Sequence, residues 1–511
     1  MGVGKSLKRV DALAKVTGQT KYCEDLVPNN ALHVKVVHST IANGKVISID
    51  TSKASKMPGV KYILTCFDVP EKQFTIGGHP LSVDPAGEDI SDRNILAKRV
   101  RFYGDDVAAV VADNQLNAEN AARKVKVEYE EYEPYLEPSD AFGKAAIHDE
   151  FPGNEIARLD FTIDENDDAV FYTGSFSNDL RIAGRDDMVG EHFSVPQVNA
   201  CHIENTGCFA YMDGDKIIIV TTTQAPVAVR KNVAAALELP VSRIKVIKPY
   251  IGGGFGNKQD TVYEPLAAFL TMKLNGRPVS VQCDRSETFI NTRTRHAFDM
   301  SIYTDVSDDG EILRKGMRIN SNSGAYAAHA HAIGAASICS SMHLYKVSGE
   351  RIGESSTVYT NRPVAAAMRA YGIPQLNFAQ ECNMEDMALA KGLDSVEFRL
   401  KNIYKEGERV PGDSFATGSN KLPECADKAL KMSDWYNKRA EYEEFNKHSK
   451  ELKKGLGLAF FSYKITVWPI QVEVSGCRIM MQPDGGCSVL MGCTELGQGV
   501  DTAISQIVSE V

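Results

Sequence analysis

Apolar positions along this chain fall into two rhythms, and the switches between them outline the fold. Runs at 32–37, 61–64 and 107–112 are too short for helices and predict strands, while 117–124 has helical spacing. From about residue 185 the two alternate, with strands predicted at 216–222, 243–251 and 279–283 and helices at 226–237 and 260–274. Pro226 at a first helical position and Gly276 just past a helix end are correct punctuation for those elements. The acidic stretch 160–168 reads as a linker or exposed loop, and the charged run 434–454 has so few apolar positions that it predicts a solvated helix. Beyond it, strands are predicted at 458–463 and 478–481. The first 150 or so residues read as a small α/β domain closed near Pro134 and Pro138.

The segment Gly252-Gly253-Gly254-Phe255-Gly256-Asn257-Lys258-Gln259 joins the strand ending near 251 to the helix starting near 260. Glycine is needed where the backbone takes positive φ or approaches a ligand closely, and the first N–H groups of a helix lack partners, so the loop predicts an anionic ligand such as a phosphate-bearing cofactor. A dinucleotide fold is one reading. Gly252 and Gly254 fit it and Asp284 closes the following strand, but Asn257 replaces the third glycine and no further βαβ repetition follows. A purely structural turn is the second, against a cost of about 0.5–1 kcal/mol in chain entropy for each glycine. The third reading depends on the rest of the chain.

Length narrows the choice: 511 residues suggest about three domains. A formal charge of -10 with Lys and Arg scattered argues against a nucleic-acid surface. No run of about 18 apolar residues appears and residues 1–9 lack the apolar core of a secretory signal, so a cytoplasmic protein with no membrane partner is expected. Gly2-Val3-Gly4-Lys5-Ser6 imitates a P-loop without its upstream strand, and its match to an acylation signal is equally short. The 11 cysteines form no C-x-x-C pair, which predicts buried reduced thiols. His329 and His331 could bind metal from one face of a strand, but nothing nearby completes a site, so packing roles are expected.

Three further segments bear polar groups beside turns: Thr221-Thr222-Thr223-Gln224-Ala225-Pro226, Ala366-Ala367-Met368-Arg369-Ala370-Tyr371-Gly372, and Thr494-Glu495-Leu496-Gly497-Gln498-Gly499. Taken singly, each could be a cap, a surface turn or a buried hydrogen bond. In this order, with Arg9-Val10-Asp11-Ala12 at the start and Arg293-Thr294-Arg295-His296 between, they resemble the molybdenum hydroxylase family, nearest its bacterial xanthine dehydrogenase molybdenum-binding subunits. The match runs along essentially the whole chain and lacks the family subunit's final third.

The resemblance implies a mixed α/β (α+β) architecture: an N-terminal α/β hammerhead-like domain at 1–150, a first molybdopterin-binding domain at 151–430, and the incomplete start of a second at 431–511. It implies Mo-molybdopterin, either alone or as a dinucleotide, with Gln224, Phe255 and Arg369 around the metal. Gly254, Gly256, Gly497, Gln498 and Gly499 would contact the cofactor, helix-end amides favouring its phosphate. Gln259 and Tyr371 would meet the substrate, with Tyr371 packing on a flat ring. The implied reaction is hydroxylation of a purine carbon, in hypoxanthine or xanthine, with oxygen from water. Another N-heterocycle or an aldehyde is the alternative, decided around Gln259, Tyr371 and 466–468. Gln259 stands where animal-type enzymes carry glutamate. FAD and 2Fe-2S centres would lie on partner subunits of an oligomer in purine metabolism. No catalytic residue is assigned, because the family's general-base glutamate, in a Gly-Glu-Pro-Pro type motif, does not occur here. The expectation is a split subunit completed by a separate chain, and inactive without it, or a non-catalytic relic.

Overall fold

The computed structural model describes residues 2–77, 89–164, 166, 169–173, 191–412, 416–463 and 476–511; the segment 466–468 lies outside them. Two large sheets organise the chain. The first has seven strands, running Ile244–Ile247, Lys216–Thr221, Gly207–Asp213, Val279–Gln282, Leu32–His38, Asp106–Ala112 and Val60–Thr65 from edge to edge. Strands from the N-terminal region and from the middle of the chain thus share one sheet. Their junction is a parallel pair in which Leu32 faces Val279 and Val34 faces Val281. Asp106–Ala112 is buried at every position, so its unbroken apolar run suits a strand covered on both faces. The helix Glu264–Lys273 is buried around nearly its whole circumference, and Leu266, Phe269 and Leu270 join the core of this sheet with Val229 and Val233 of the helix Pro226–Ala236.

The second sheet has six strands in the order Ala169–Thr173, Glu155–Ile163, Arg351–Tyr359, Ile312–Gly324, Ala297–Val306 and Glu191–Val195. The helices Ala330–Ser340 and Ile373–Ala390 pack on it around a core containing Phe161, Met300, Ile319, Ile333 and Leu376. The expected linker at 160–168 is corrected here. Residues 160–163 complete a strand in which Leu159, Phe161 and Ile163 alternate inward, while Arg158 and Asp160 neutralise each other at 2.8 Å. The strand expected at 458–463 is also absent. Phe460 is buried there instead, and its N–H donates to Glu381 Oε2 at 2.8 Å in place of a ladder partner. Residues 477–481 do form a strand, in a two-stranded hairpin with Cys487–Met491. The charged run forms the helix Trp435–His448. No helix among the described residues is long and apolar enough to cross a membrane.

Thiol burial is mixed. Cys23, Cys66, Cys208, Cys283 and Cys339 are buried and Cys382 is half-buried, but Cys201, Cys425, Cys477, Cys487 and Cys493 are exposed, and none is disulfide-bonded. Asp284, the acidic residue a dinucleotide fold would need for a ribose, is spent as the N-cap of the helix Arg285–Asn291 in a capping box with Glu287.

A polar knot fastens that helix to the first sheet. His38 lies 3.0 Å from Asp106 Oδ1 and 3.2 Å from Glu287 Oε1. Burial alone would lower the His38 pKa, but these two carboxylates raise it from 6.5 to about 9. Because the folded-state value is the higher one, the stabilisation is complete below pH 6.5 and is lost as pH rises through about 9. Thermal unfolding followed from pH 6 to 10 is therefore expected to show a decline worth about 3 kcal/mol over that window. His38→Gln should flatten it, and an unchanged slope in that variant would remove His38 from the account.

Candidate functional site

Four segments converge at one end of the first sheet. Gln224 follows the strand Lys216–Thr221, and its backbone N–H donates to Lys258 O at 2.8 Å. Its side-chain Oε1 accepts from Gly256 N–H at 2.9 Å. A backbone N–H can only donate, so the carboxamide oxygen is fixed toward the glycine loop and Nε2 is left as a donor. No described residue accepts from that Nε2. Gly254 is required beside it, because a Cβ there would come 2.3 Å from Gln224 Oε1. Gly256, at φ +102°, lies so close to the third segment that a Cβ would come 2.6 Å from Ala367 O. That segment is tied back by Arg369 N–H, which donates to Phe255 O at 2.7 Å. Thr494 Oγ1 brings in the fourth by donating to Gln224 O at 3.0 Å.

Backbone strain is concentrated here. Phe255, Ala370 and Tyr371 have φ of +59°, +74° and +51°, a region L-residues occupy only when their surroundings hold them. Arg369 is exposed and, with Ala370, borders a cavity of about 920 Å³ walled also by Arg295, Phe378, Phe460 and Tyr463.

The glycine loop does not open a helix directly, contrary to the sequence reading. The strand stops at Ile247 and the helix begins at Glu264, so a turn-rich stretch intervenes. Buried polar groups pull it inward. Lys258 Nζ meets Glu204 Oε2 at 2.8 Å, and the same oxygen accepts from Gly252 N–H at 2.8 Å. Asp260 pairs with Arg293 at 2.8 Å and with His329 Nε2 at 2.9 Å, all three side chains being buried. His329 Nδ1 lies 2.9 Å from the Tyr371 hydroxyl. Burial opposes charge on His329 but Asp260 outweighs it and raises its pKa, while burial pushes the Tyr371 phenol well above its usual range. Asp260 thus favours the charged form of His329, in which Nδ1–H donates to the Tyr371 oxygen. His329 is the N-cap of the helix Ala330–Ser340 and His331 lies within it, so the shared strand face expected for them does not exist.

Gln259 is half-buried next to Asp260 and is held through its N–H to Gly256 O at 3.0 Å. The Gly497–Gly499 amides need a correction. Glu495 Oε1 accepts from Gly497 N–H at 2.7 Å and from Gly499 N–H at 3.1 Å, and Oε2 accepts from Asp501 N–H at 3.3 Å. The chain's own carboxylate therefore fills this helix start, and those amides do not await a phosphate. Gln498 bridges the same turn, accepting from Leu496 N–H at 2.7 Å and donating to Thr494 O at 2.8 Å.

Sequence reasoning thus locates Gln224, Gly254, Phe255, Gly256 and Arg369 in mutual contact, with Thr494 attached. It assigns no role to Glu204, Asp260, Arg293 or Glu495, although the polar run at 257–261 between a glycine loop and an apolar helix was an available sign. Among the described residues no group of three or more His, Cys, Asp or Glu side chains is arranged to hold a metal ion. The donors gathered here are a carboxamide, main-chain groups and a guanidinium, which fit a metal whose sulfur ligands arrive with its cofactor.

Known proteins match in the same sense. Residues 17–133 match the aldehyde oxidase and xanthine dehydrogenase a/b hammerhead domain, and 161–403 and 428–511 match molybdopterin cofactor-binding domains. The chain thus carries molybdopterin cofactor-binding domains in a mixed α/β fold. It belongs to the aldehyde oxidase and xanthine dehydrogenase family of molybdenum hydroxylases. It is 41% identical over 503 residues to the xanthine dehydrogenase molybdenum-binding subunit of Escherichia coli O157:H7, covering 98% of this chain and 65% of that protein. The xanthine dehydrogenase/oxidase of Rattus norvegicus is 30% identical over 99% of this chain and 36% of its own length. Among solved structures, quinoline 2-oxidoreductase from Pseudomonas putida 86 superposes with a TM-score of 0.82 at 27% identity, covering 99% of this chain and 64% of that one.

The close approach at Gly256 is testable by stability. Gly214, at φ +59° with open space around it, isolates the backbone penalty, so Gly214→Ala should cost about 1 kcal/mol. Gly256→Ala adds the clash with Ala367 and should cost roughly 2–4 kcal/mol in chemical denaturation. Equal losses would show that the two loops are not in restraining contact.

Proposed function

We propose that this chain is the molybdenum-cofactor-binding subunit of a xanthine dehydrogenase-like hydroxylase that oxidises a purine at carbon. The observation that carries this reading is the fixed Gln224 carboxamide, whose Nε2 is turned outward as a donor by the Gly256 N–H. Once bound, the molybdenum cofactor supplies the two-electron redox and oxygen-transfer chemistry. The chain's part is placement. Gln224 Nε2 would be the hydrogen-bond donor toward the bound group, the strained main chain at Phe255 and Gly256 would allow its close approach, and Arg369 would offer positive charge beside the cavity. Gly254 and Gly256 keep that approach free of side chains, while Gln498 gives the loop beside Gln224 its shape. Tyr371, held by His329 next to the cavity-lining Ala370, would supply the aromatic ring on which a flat heterocycle stacks. Gln259 orients the substrate by hydrogen bonding alone, because a neutral amide exchanges no proton.

That neutrality favours a second reading, in which the substrate is another N-heterocycle or an aldehyde. FAD-binding and iron–sulfur subunits are the expected partners for carrying electrons away. The test is molybdenum and pterin analysis of the protein purified with its native partners, followed by assays with hypoxanthine, xanthine, quinoline and an aromatic aldehyde. Near-stoichiometric molybdenum with purine turnover is expected. Loaded protein that turns over only quinoline or the aldehyde would move the assignment to the second reading, and protein free of pterin would end both. Gln224→Ala should lower cofactor occupancy or turnover about 10–100-fold.

A further inference from the structure

Glu495 raises a question the cofactor reading leaves open: what holds a carboxylate, with only 5% of its side chain exposed, inside a glycine turn that carries no positive residue of its own? The answer lies at the other end of the chain. Arg9 Nη2 reaches Glu495 Oε1 at 3.3 Å while its Nη1 donates to Gly497 O at 2.5 Å. The same guanidinium is held by Asp11 through Nε at 2.9 Å and Nη2 at 2.8 Å, a two-point contact that fixes its plane. Asp11 is buried and also pairs with Lys15 at 2.5 Å, so the arginine is braced from behind. Val10 N–H donates to Thr502 Oγ1 at 3.0 Å, one turn into the helix Val500–Val508. Gly499, at φ +94°, sits against the guanidinium, with Arg9 atoms 3.7–3.8 Å from where its Cβ would be. On the far side Lys248 Nζ donates to Glu495 O at 3.0 Å.

We propose that residues 9–15 form a clasp for the glycine turn 497–499, with Arg9 and Glu495 as positioning residues that hold the turn in register with Gln224 through Thr494. The inference rests on the reading of this turn as a cofactor loop. Isolated surface ion pairs contribute little, but here one guanidinium joins two buried carboxylates and a main-chain carbonyl, and losing it leaves the Glu495 carboxylate to main-chain amides. The clasp orders the turn before cofactor arrives, so its loss appears as mobility first and poorer retention second.

The test is amide hydrogen exchange over residues 494–503, with pterin content measured by fluorescence on the same samples of the complex purified with its native partners. Arg9→Ala and Glu495→Ala are expected to speed exchange of the Gly497, Gly499 and Asp501 amides at least tenfold and to lower pterin content severalfold. Glu495→Gln keeps one acceptor oxygen, which can still take the Gly497 and Gly499 N–H groups, and should lie nearer the wild type. Exchange in the helix Glu264–Lys273 serves as the folding control and should not change. Unchanged exchange at 494–503 in Arg9→Ala overturns the clasp, whatever the pterin content. Faster exchange with full pterin retention overturns the turn's role in holding cofactor. Wild-type protein lacking pterin overturns the cofactor reading itself, while its exchange pattern still decides whether the clasp exists.

Discussion

The buried carboxylate of Asp260 is the constraint on which the rest of the site depends. It takes Arg293 on one oxygen and His329 on the other, with all three side chains out of solvent. Removing Asp260 would leave Arg293 and His329 buried without their shared carboxylate, a penalty of roughly 3–5 kcal/mol. To reach these partners the chain after Gly256 must turn into the core and cannot continue into a helix. Arg293 secures the turn twice more, through its Nη2 to Thr261 O at 3.0 Å and its own O, which accepts from Asn257 Nδ2 at 2.5 Å. His329 carries the constraint onward to the Tyr371 hydroxyl. The glycine loop, the junction between the two sheets and the aromatic beside Arg369 are therefore set by one carboxylate.

Charge at the two glycine turns is handled by the same device. Glu204 accepts from Gly252 N–H and from Lys258, and Glu495 accepts from Gly497 and Gly499 N–H while Arg9 approaches from outside. At the first turn the carboxylate comes from elsewhere and the cation, Lys258, from the loop itself; at the second the carboxylate is internal and the cation, Arg9, comes from elsewhere. What the two turns present toward Gln224 is shape, a backbone path free of Cβ atoms, and specificity then falls to the few side chains aimed into the space.

Much of the fold is legible in the sequence because burial there has a simple period. Asp106–Ala112 reads as a strand because both faces are covered, and Pro226 and Gly276 mark helix ends by backbone geometry that no tertiary contact alters. Errors occur where polar residues are inside. The acidic residues at 160–168 suggest solvent, yet Asp160 is neutralised by Arg158 on a paired strand, a partnership with no signature in hydropathy. Asp260 looks like a helix start because an aspartate after glycines favours an N-cap, whereas its actual partners are 33 and 69 residues away. Of the site, Gln224, Gly254, Phe255, Gly256 and Arg369 were readable through family resemblance, but the amides at Gly497 and Gly499 were assigned to a phosphate because a carboxylate two residues upstream could not be seen folding back onto them.

That pattern bears on why the site is made of loops. Each of its segments leaves a rigid element and is pinned within a few residues by a polar contact: Gln224 by Lys258, Phe255 by Arg369, Tyr371 by His329, and Thr494 by Gln224. A sheet edge alone could place one of these groups, since strands fix side chains on a 2-residue repeat, but it could not bring main chain from four segments to the same few ångströms. Left-handed residues at Phe255, Ala370 and Tyr371 are the conformational cost of that convergence. The two cores absorb it: the strands and helices flanking these loops are among the most completely buried parts of the chain, so strain at the site is held in place by packing that the site itself does not supply.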